Sequence, residues 1–117
     1  MIKQLIALPL VLNLLACDGA AKDAVRDQLN DPGSAKFYEV GSKGSVTCGL
    51  VNAKNRMGGF VGRRGFIFEN GIARIEGDQD IGLLGEIISK CPESLWEYSN
   101  HRMAQIVNEM RAANDHA

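Results

Sequence analysis

The stretch Phe66-Ile67-Phe68-Glu69-Asn70-Gly71-Ile72-Ala73-Arg74-Ile75 decides the fold. Asn-Gly is the dipeptide preferred at the centre of a type I′ turn, because both central residues need a positive φ and the turn's twist matches that of the flanking strands. A two-residue loop sets the register without further assumption: Glu69 faces Ile72, Phe68 faces Ala73, Ile67 faces Arg74 and Phe66 faces Ile75. Side chains alternate along a strand, so Phe66, Phe68, Ala73 and Ile75 share one face, expected to be the core side. Ile67, Glu69, Arg74 and Glu76 share the other, with Glu69 and Arg74 close enough on the diagonal to interact. The expected sheet is antiparallel, with one face buried and one polar.

Toward the N-terminus, Phe60 to Glu69 holds the strand or strands leading into this hairpin. Asn52 to Gly59 is a polar loop ending in glycine. Ser45 to Val51 reads as a strand with Val46, Cys48 and Leu50 on one side and Thr47, Gly49 and Val51 on the other. Gly41-Ser42-Lys43-Gly44 is a turn, and Lys36 to Val40 another strand. Asp18 to Leu29 has helical composition, with Asp18 as N-cap and a narrow apolar face of Ala21, Ala24, Val25 and Leu29. Asn30-Asp31-Pro32-Gly33 stops that helix.

Toward the C-terminus, Gly77 to Asp80 turns the chain into a helix over Ile81 to Lys90. Leu84 and Ile88 lie on its inner side, with Ile81 alongside, and Asp78 and Asp80 precede it as capping residues. Cys91-Pro92 ends it. Ser94-x-x-Glu97 has the form of a capping box for a last helix running to about Ala113. Trp96, Met103, Ile106, Val107 and Met110 form the apolar stripe of that helix. Glu97, His101, Arg102, Gln105, Glu109 and Arg111 face water, and the tail from Asn114 frays. The fold class is α+β: a small antiparallel sheet of three to four strands, an N-terminal helix, and one or two C-terminal helices covering one face.

The N-terminus has a different character. Lys3 is followed by an apolar run from Leu5 to Ala16, broken only by Pro9 and Asn13. These are the proportions of a secretory signal, and the run is too short for the ~20 apolar residues of a bilayer span. Leu14-Leu15-Ala16-Cys17 resembles the lipobox of bacterial lipoproteins. The resemblance implies cleavage before Cys17 and acyl chains on that residue. With about 0.8 kcal/mol per buried methylene, two or three chains make attachment to the membrane effectively permanent. The alternative is ordinary secretion with Cys17 incidental. Residues 1–16 are thus the expected signal peptide and residues 17–117 a single anchored domain facing the periplasm. Asp18 after the cysteine resembles the signal that retains such proteins in the inner membrane, which favours that membrane over the outer one. There is no long tether, so the domain rides close to the bilayer.

Removing residues 1–16 takes away Lys3 alone among the charged residues, leaving 12 basic and 14 acidic side chains, a net charge of −2. That balance speaks against nucleic acid as a partner. Three cysteines leave one over from any disulfide set. With Cys17 acylated, Cys48 and Cys91 are expected to pair in an oxidising compartment, closing a loop of about 44 residues. A metal site or a reactive thiol is the alternative, but Cys48, Cys91 and His101 lack the close spacing of zinc ligands. No metal and no cofactor is expected.

The densest unusual segment runs from Cys48 to Gly65, with two amides, four basic residues and five glycines. Asp31-Pro32-x-Ser34-Ala35-x-Phe37, followed by Cys48-Gly49-x-Val51-Asn52-x-Lys54-Asn55 and Gly58-Gly59-x-x-Gly62, resembles a group of small bacterial and prophage-borne secreted proteins and lipoproteins. The resemblance covers roughly residues 25–70 and brings no catalytic residues. Physically, Asn52, Lys54, Asn55, Arg56, Arg63 and Arg64 make a candidate binding loop. Its amides and guanidinium groups suit an anion, a carboxylate-bearing peptide or a glycan, and Arg63 with Arg64 suits bidentate contacts. The plainer reading is that the amides and glycines serve turn geometry while the cations are solvated.

Catalysis needs a nucleophile or an acid–base group with a positioned partner. His101 falls on the wet helix face and His116 in the tail, and capping explains Asp78 and Asp80. The expectation is a non-catalytic, membrane-anchored lipoprotein that binds an envelope protein or a cell-wall component. The alternatives are a prophage-type exclusion or inhibitor protein, suggested by the resemblance, and a small hydrolase.

Overall fold

The structure, a computed structural model, describes residues 18–115. The expected signal peptide, the anchor at Cys17 and the last tail residues, including His116, lie outside the described residues. A helix over residues 18–26 (α1) leads through a 3-10 turn at Pro32–Ser34 into four strands: β1 (Lys36–Lys43), β2 (Val46–Asn52), β3 (Arg64–Glu69) and β4 (Ile72–Ile75). Helix α2 (Ile81–Lys90), a 3-10 turn at Glu93–Leu95 and helix α3 (Trp96–Asp115) follow. The strands form one antiparallel meander in the order β1-β2-β3-β4. The architecture is α+β with one disulfide, as expected.

The hairpin has the register read from Asn70-Gly71, with Glu69 opposite Ile72 and Phe66 opposite Ile75. Both turn residues have positive φ, 55° and 76°. Arg74 reaches Glu69 across the diagonal at 4.0 Å.

The expectation of one polar face is corrected. Phe66, Val51 and Ala73 pack with Val25 of α1, while Ile67, Cys48, Leu50 and Val46 pack with α2 and α3 on the opposite side. The result is a three-layer sandwich in which Ile67, assigned to the wet face, has no exposure at all. Val46 through Val51 are all buried, because β2 has a neighbour strand on each side and a helix layer on each face. Such strands read as continuous apolar runs rather than alternating ones.

Boundaries shift for local reasons. Asp18 lies within α1, where it pairs with Lys22 at 3.3 Å, instead of capping it. Helix α1 ends at Arg26, three residues before Leu29, with Asp27 N–H donating the last i→i−4 bond to the Asp23 carbonyl. Gln28 and Leu29 donate to carbonyls three residues back, and the Gln28 side chain leaves to bond the Ala73 carbonyl on the β4 edge. Strand β1 continues past Val40 to Lys43, so the turn sits at residues 44–45. A bulge between Tyr38 and Gly41, with Glu39 at φ 53°, puts Phe37 and Val40 on the α1 side and Tyr38 on the α3 side. Strand β3 starts at Arg64, so residues 61–63 belong to no strand.

Helix α2 has the bounds expected and is capped by Asp80, whose carboxylate accepts the Leu83 N–H at 3.1 Å. Its buried face is Leu83, Leu84 and Ile87; Ile81 is exposed and Ile88 half-buried, so the face is rotated from the expected one. Ser94 lies inside the 3-10 turn that runs directly into α3, so it is not an N-cap. In α3 only Ser99 and Ile106 are buried, with Met103 partly covered; Val107 and Met110, expected in the stripe, are exposed. The Ser99 hydroxyl donates to the Leu84 carbonyl, fastening α3 to α2.

Cys48 and Cys91 are bonded, with Cα atoms 5.9 Å apart and no exposure, and they tie β2 to the corner between α2 and α3. Replacing both with serine should cost about 2–5 kcal/mol, read as a lowered urea midpoint; an unchanged midpoint would show that the apolar layers hold without the bond.

A four-charge cluster joins the hairpin to α2. Arg74 donates to both oxygens of Glu86, at 2.6 and 2.9 Å, and Lys90 to Glu86 and Glu69, each at 3.1 Å. The bonds from Arg74, and then those from Lys90, draw the Glu86 carboxyl down to about 2. A depressed folded-state value stabilises the fold above the ordinary carboxylate value, and that contribution disappears as pH falls toward the lowered one. The window for Glu86 is therefore about pH 4.5 down to about 2. Glu86→Gln should flatten the stability–pH curve within it, measured by urea unfolding at low salt, and leave the curve above pH 5 parallel to wild type.

Candidate binding surface

Past Asn52 the chain does not open into a loose loop. Lys54 bridges Phe60 in antiparallel fashion, Asn55 N–H donates to the Gly59 carbonyl at 2.9 Å, and Val61 N–H reaches the Ala53 carbonyl at 3.4 Å. The segment is a short hairpin arm standing on the end of β2. Asn55 closes its tip: the side-chain oxygen accepts the N–H groups of Met57 (3.0 Å) and Gly59 (3.2 Å), local bonding at which asparagine excels. Gly58, at φ 83°, takes the left-handed position in the turn that an L side chain resists.

The base of the arm is fastened as well. Asn52 Oδ1 accepts from Gly62 N–H at 3.0 Å, and Lys54 N–H donates to the Ser34 hydroxyl at 2.9 Å. Arg56 Nε donates to Asn30 Oδ1 at 3.3 Å, joining the arm to the end of the α1 segment. The two asparagines singled out in the sequence therefore use their side-chain oxygens on the arm itself.

Arg63 and Arg64 do not form a clamp. As neighbours near the start of a strand they diverge to opposite faces of the sheet. The Arg63 guanidinium lies 3.8 Å from the ring centre of Tyr38, on the α3 side. Arg64, opposite Val51, turns to the other face and donates to the Glu76 carbonyl at 3.1 Å and to Asp78 at 3.2 Å. The amides and cations thus remain in one segment, but only Lys54 and Arg56 of the four basic side chains belong to the arm.

What the arm displays is apolar. Met57 is 94% exposed at the tip, and Phe60 and Val61 are 44% and 49% exposed on its returning limb. Lys36 and Lys54 bring their ammonium groups to 4.9 and 5.5 Å from the Phe60 ring centre, within cation–π range. The sequence reads Phe60 and Val61 as the start of the strand to Glu69 and Met57 as part of a polar loop, and gives no signal that the three are exposed together. Between the arm and the end of α1 lies a groove of about 370 Å3, with Val51, Ala53 and Ile75 along its floor and Lys54 and Arg64 on its rim.

A second cluster escaped sequence reasoning. Glu76, expected on a solvated face, is 3% exposed. Its Oε1 accepts from Gly65 N–H at 3.0 Å and from the Tyr98 hydroxyl at 2.6 Å, and its Oε2 pairs with Arg102 Nε at 3.3 Å. Arg102, assigned to water, is instead the counter-ion of this buried carboxylate. Burial first, and then the neighbouring Glu76, push the Tyr98 phenol well above its ordinary value, so it remains a neutral donor. Burial of a charge is tolerated when its lone pairs are matched in this way, and the cluster locks α3 to the end of β4.

His101 is exposed beside a shallow depression shared with Glu39 and Tyr98. Asp80 caps α2 and Asp78 pairs with Arg64. Among the described residues, no group of three or more His, Cys, Asp or Glu side chains is placed to hold a metal, and no helix is long and apolar enough to cross a membrane.

No family model, curated protein or solved structure matches the chain.

If Asn55 holds the tip, Asn55→Ala should speed amide hydrogen exchange at Met57 and Gly59 by about tenfold, the factor that goes with losing a hydrogen bond of about 1 kcal/mol or slightly more. Exchange in β2 and β3 should stay unchanged.

Proposed function

We propose that this chain is a lipid-anchored, periplasm-facing binding module of the bacterial envelope, non-catalytic, whose working part is the arm over residues 53–62. The observation that supports binding is the ordered tip. Two hydrogen bonds accepted by one asparagine hold Met57 outward at 94% exposure, beside Phe60, Val61 and the cations of Lys36, Lys54 and Arg56. A large apolar side chain presented to water from a hydrogen-bonded turn serves no core and suits a surface that covers it.

The anchor reading draws support from cysteine arithmetic. Of three cysteines, two are bonded to each other, as suits an oxidising compartment, and the third stands at the end of a lipobox-like run. The non-catalytic reading draws on the roles found for the titratable groups: Asp80 is a cap, Asp78 and Glu76 are paired with arginines, and His101 is an exposed helix residue.

Mass spectrometry of the protein purified from its native membrane should show an N-terminal Cys17 carrying acyl chains. An unmodified N-terminus removes the anchor. Photo-crosslinking from position 57 in the intact envelope should capture a neighbouring component that is lost on Asn55→Ala. Equal capture from an exposed position on α3, such as Asn108, removes the arm as the contact.

A further inference from the structure

We infer that the arm is an interfacial membrane contact: Met57, Phe60 and Val61 enter the headgroup region of an anionic bilayer while Lys36, Lys54 and Arg56 meet the lipid phosphates. This rests on the reading of the arm as the contact surface and names what it touches.

Charge is the first ground. Between Asn52 and Gly65 there are four basic residues and no acidic one, although the chain as a whole has a slight acidic excess. Two of these four, Lys54 and Arg56, are on the arm, since Arg63 stacks on Tyr38 and Arg64 pairs with Asp78; strand β1 adds a third cation there by setting Lys36 over Phe60. On the neighbouring helix, the acids Asp18 and Asp23 are matched within α1 by Lys22 and Arg26, at 3.3 and 3.1 Å. Lys36, Lys54 and Arg56 thus gather three cations at the arm, whose own residues 53–62 include no acidic side chain. Anionic leaflets attract such clusters by about 1 kcal/mol per Lys or Arg near the surface.

Shape is the second ground. The most exposed of the apolar residues, Met57, is at the tip, and Phe60 and Val61 follow on one limb, Val61 also lining the groove toward α1. A stable protein interface engages roughly 20–30 residues a side around a buried core, whereas the exposed large apolar side chains here number three in a five-residue span, Met57 to Val61. A fluid interface closes around a small convex tip; a folded partner would need a matching socket and more area around it.

Chemistry along the arm is the third. The ammonium groups of Lys36 and Lys54 both lie within 5.5 Å of the Phe60 ring centre, so aromatic ring and cations would arrive together. An aromatic ring at headgroup level with lysine stems reaching outward is the arrangement favoured at membrane–water boundaries. The tip is closed by Asn55 before any contact, so little ordering is required on insertion.

The test uses the protein purified from membranes and reconstituted into vesicles whose lipids carry brominated acyl chains. Met57→Trp supplies a reporter indole, and the parent chain, whose one tryptophan is Trp96, is the reference. Bromine should quench the reporter at position 57 in phosphatidylglycerol vesicles and leave Trp96 bright. The quenching should fall in pure phosphatidylcholine and at high salt, and each of Lys54→Gln and Arg56→Gln should weaken it roughly fivefold in apparent partitioning. Phe60→Trp repeats the measurement without altering the tip residue. Reporters at positions 57 and 60 that stay unquenched in anionic vesicles, or are quenched equally in neutral ones, would overturn the proposal, as would protection of position 57 by a crosslinked protein in place of lipid. Retention on vesicles through an alkaline wash reads the anchor separately, so a missing anchor and a tip that stays in water give different results.

Discussion

The bond between Cys48 and Cys91 joins the inner strand β2 to the corner where α2 gives way to α3. Around that bond lie the side chains that make the thicker half of the core: Leu50 and Ile67 from the sheet, Leu84 and Ile87 from α2, Leu95 from the 3-10 turn and Ile106 from α3. A domain of about a hundred residues has little apolar area to spare, and a cross-link at this point constrains the unfolded chain where the longest contacts must form. The C-terminal helices are thereby fastened against β2, which with β3 forms the centre of the sheet.

Once that side is filled, the opposite face cannot stay wet. Phe66, Val51 and Ala73 emerge from the sheet on that side and are covered by Val25 and Ala24 of α1. Close packing of this kind leaves no room at two glycines. A Cβ on Gly49 would lie 2.8 Å from the Phe66 ring, and one on Gly65 would lie 2.7 Å from Ile87 Cδ1. The polar groups trapped between layers are matched, as Glu76 is by Arg102, Tyr98 and a backbone N–H, and among the described residues no buried side-chain polar atom lacks a partner. The arm departs from this pattern of burial. It stands outside both cores, yet it is held by its own hydrogen bonds and by Ser34 and Asn30 at its base. Its apolar residues stand on a hydrogen-bonded turn and are uncovered at once.

Sequence alone determined what depends on near neighbours. Asn70-Gly71 set the hairpin register, because a two-residue loop admits one pairing and only residues tolerant of positive φ fit it. Asp80 placed the start of α2 and Cys91-Pro92 its end, and cysteine parity paired Cys48 with Cys91. The segment from Asn52 to Arg64 was recognisable as unusual, and its asparagines and glycines as turn builders. Tertiary structure decided what depends on distant ones. Whether Ile67 met water or α3, whether Glu76 was solvated or sealed beneath Arg102, and which way Arg63 and Arg64 parted were settled by layers that arrive from far along the chain. Alternation says that two residues face opposite ways; it does not say what waits on either side. The same limit hid the arm's apolar tip, since an exposed Met57 and a buried one are written with the same letter, and only the absence of a packed neighbour tells them apart.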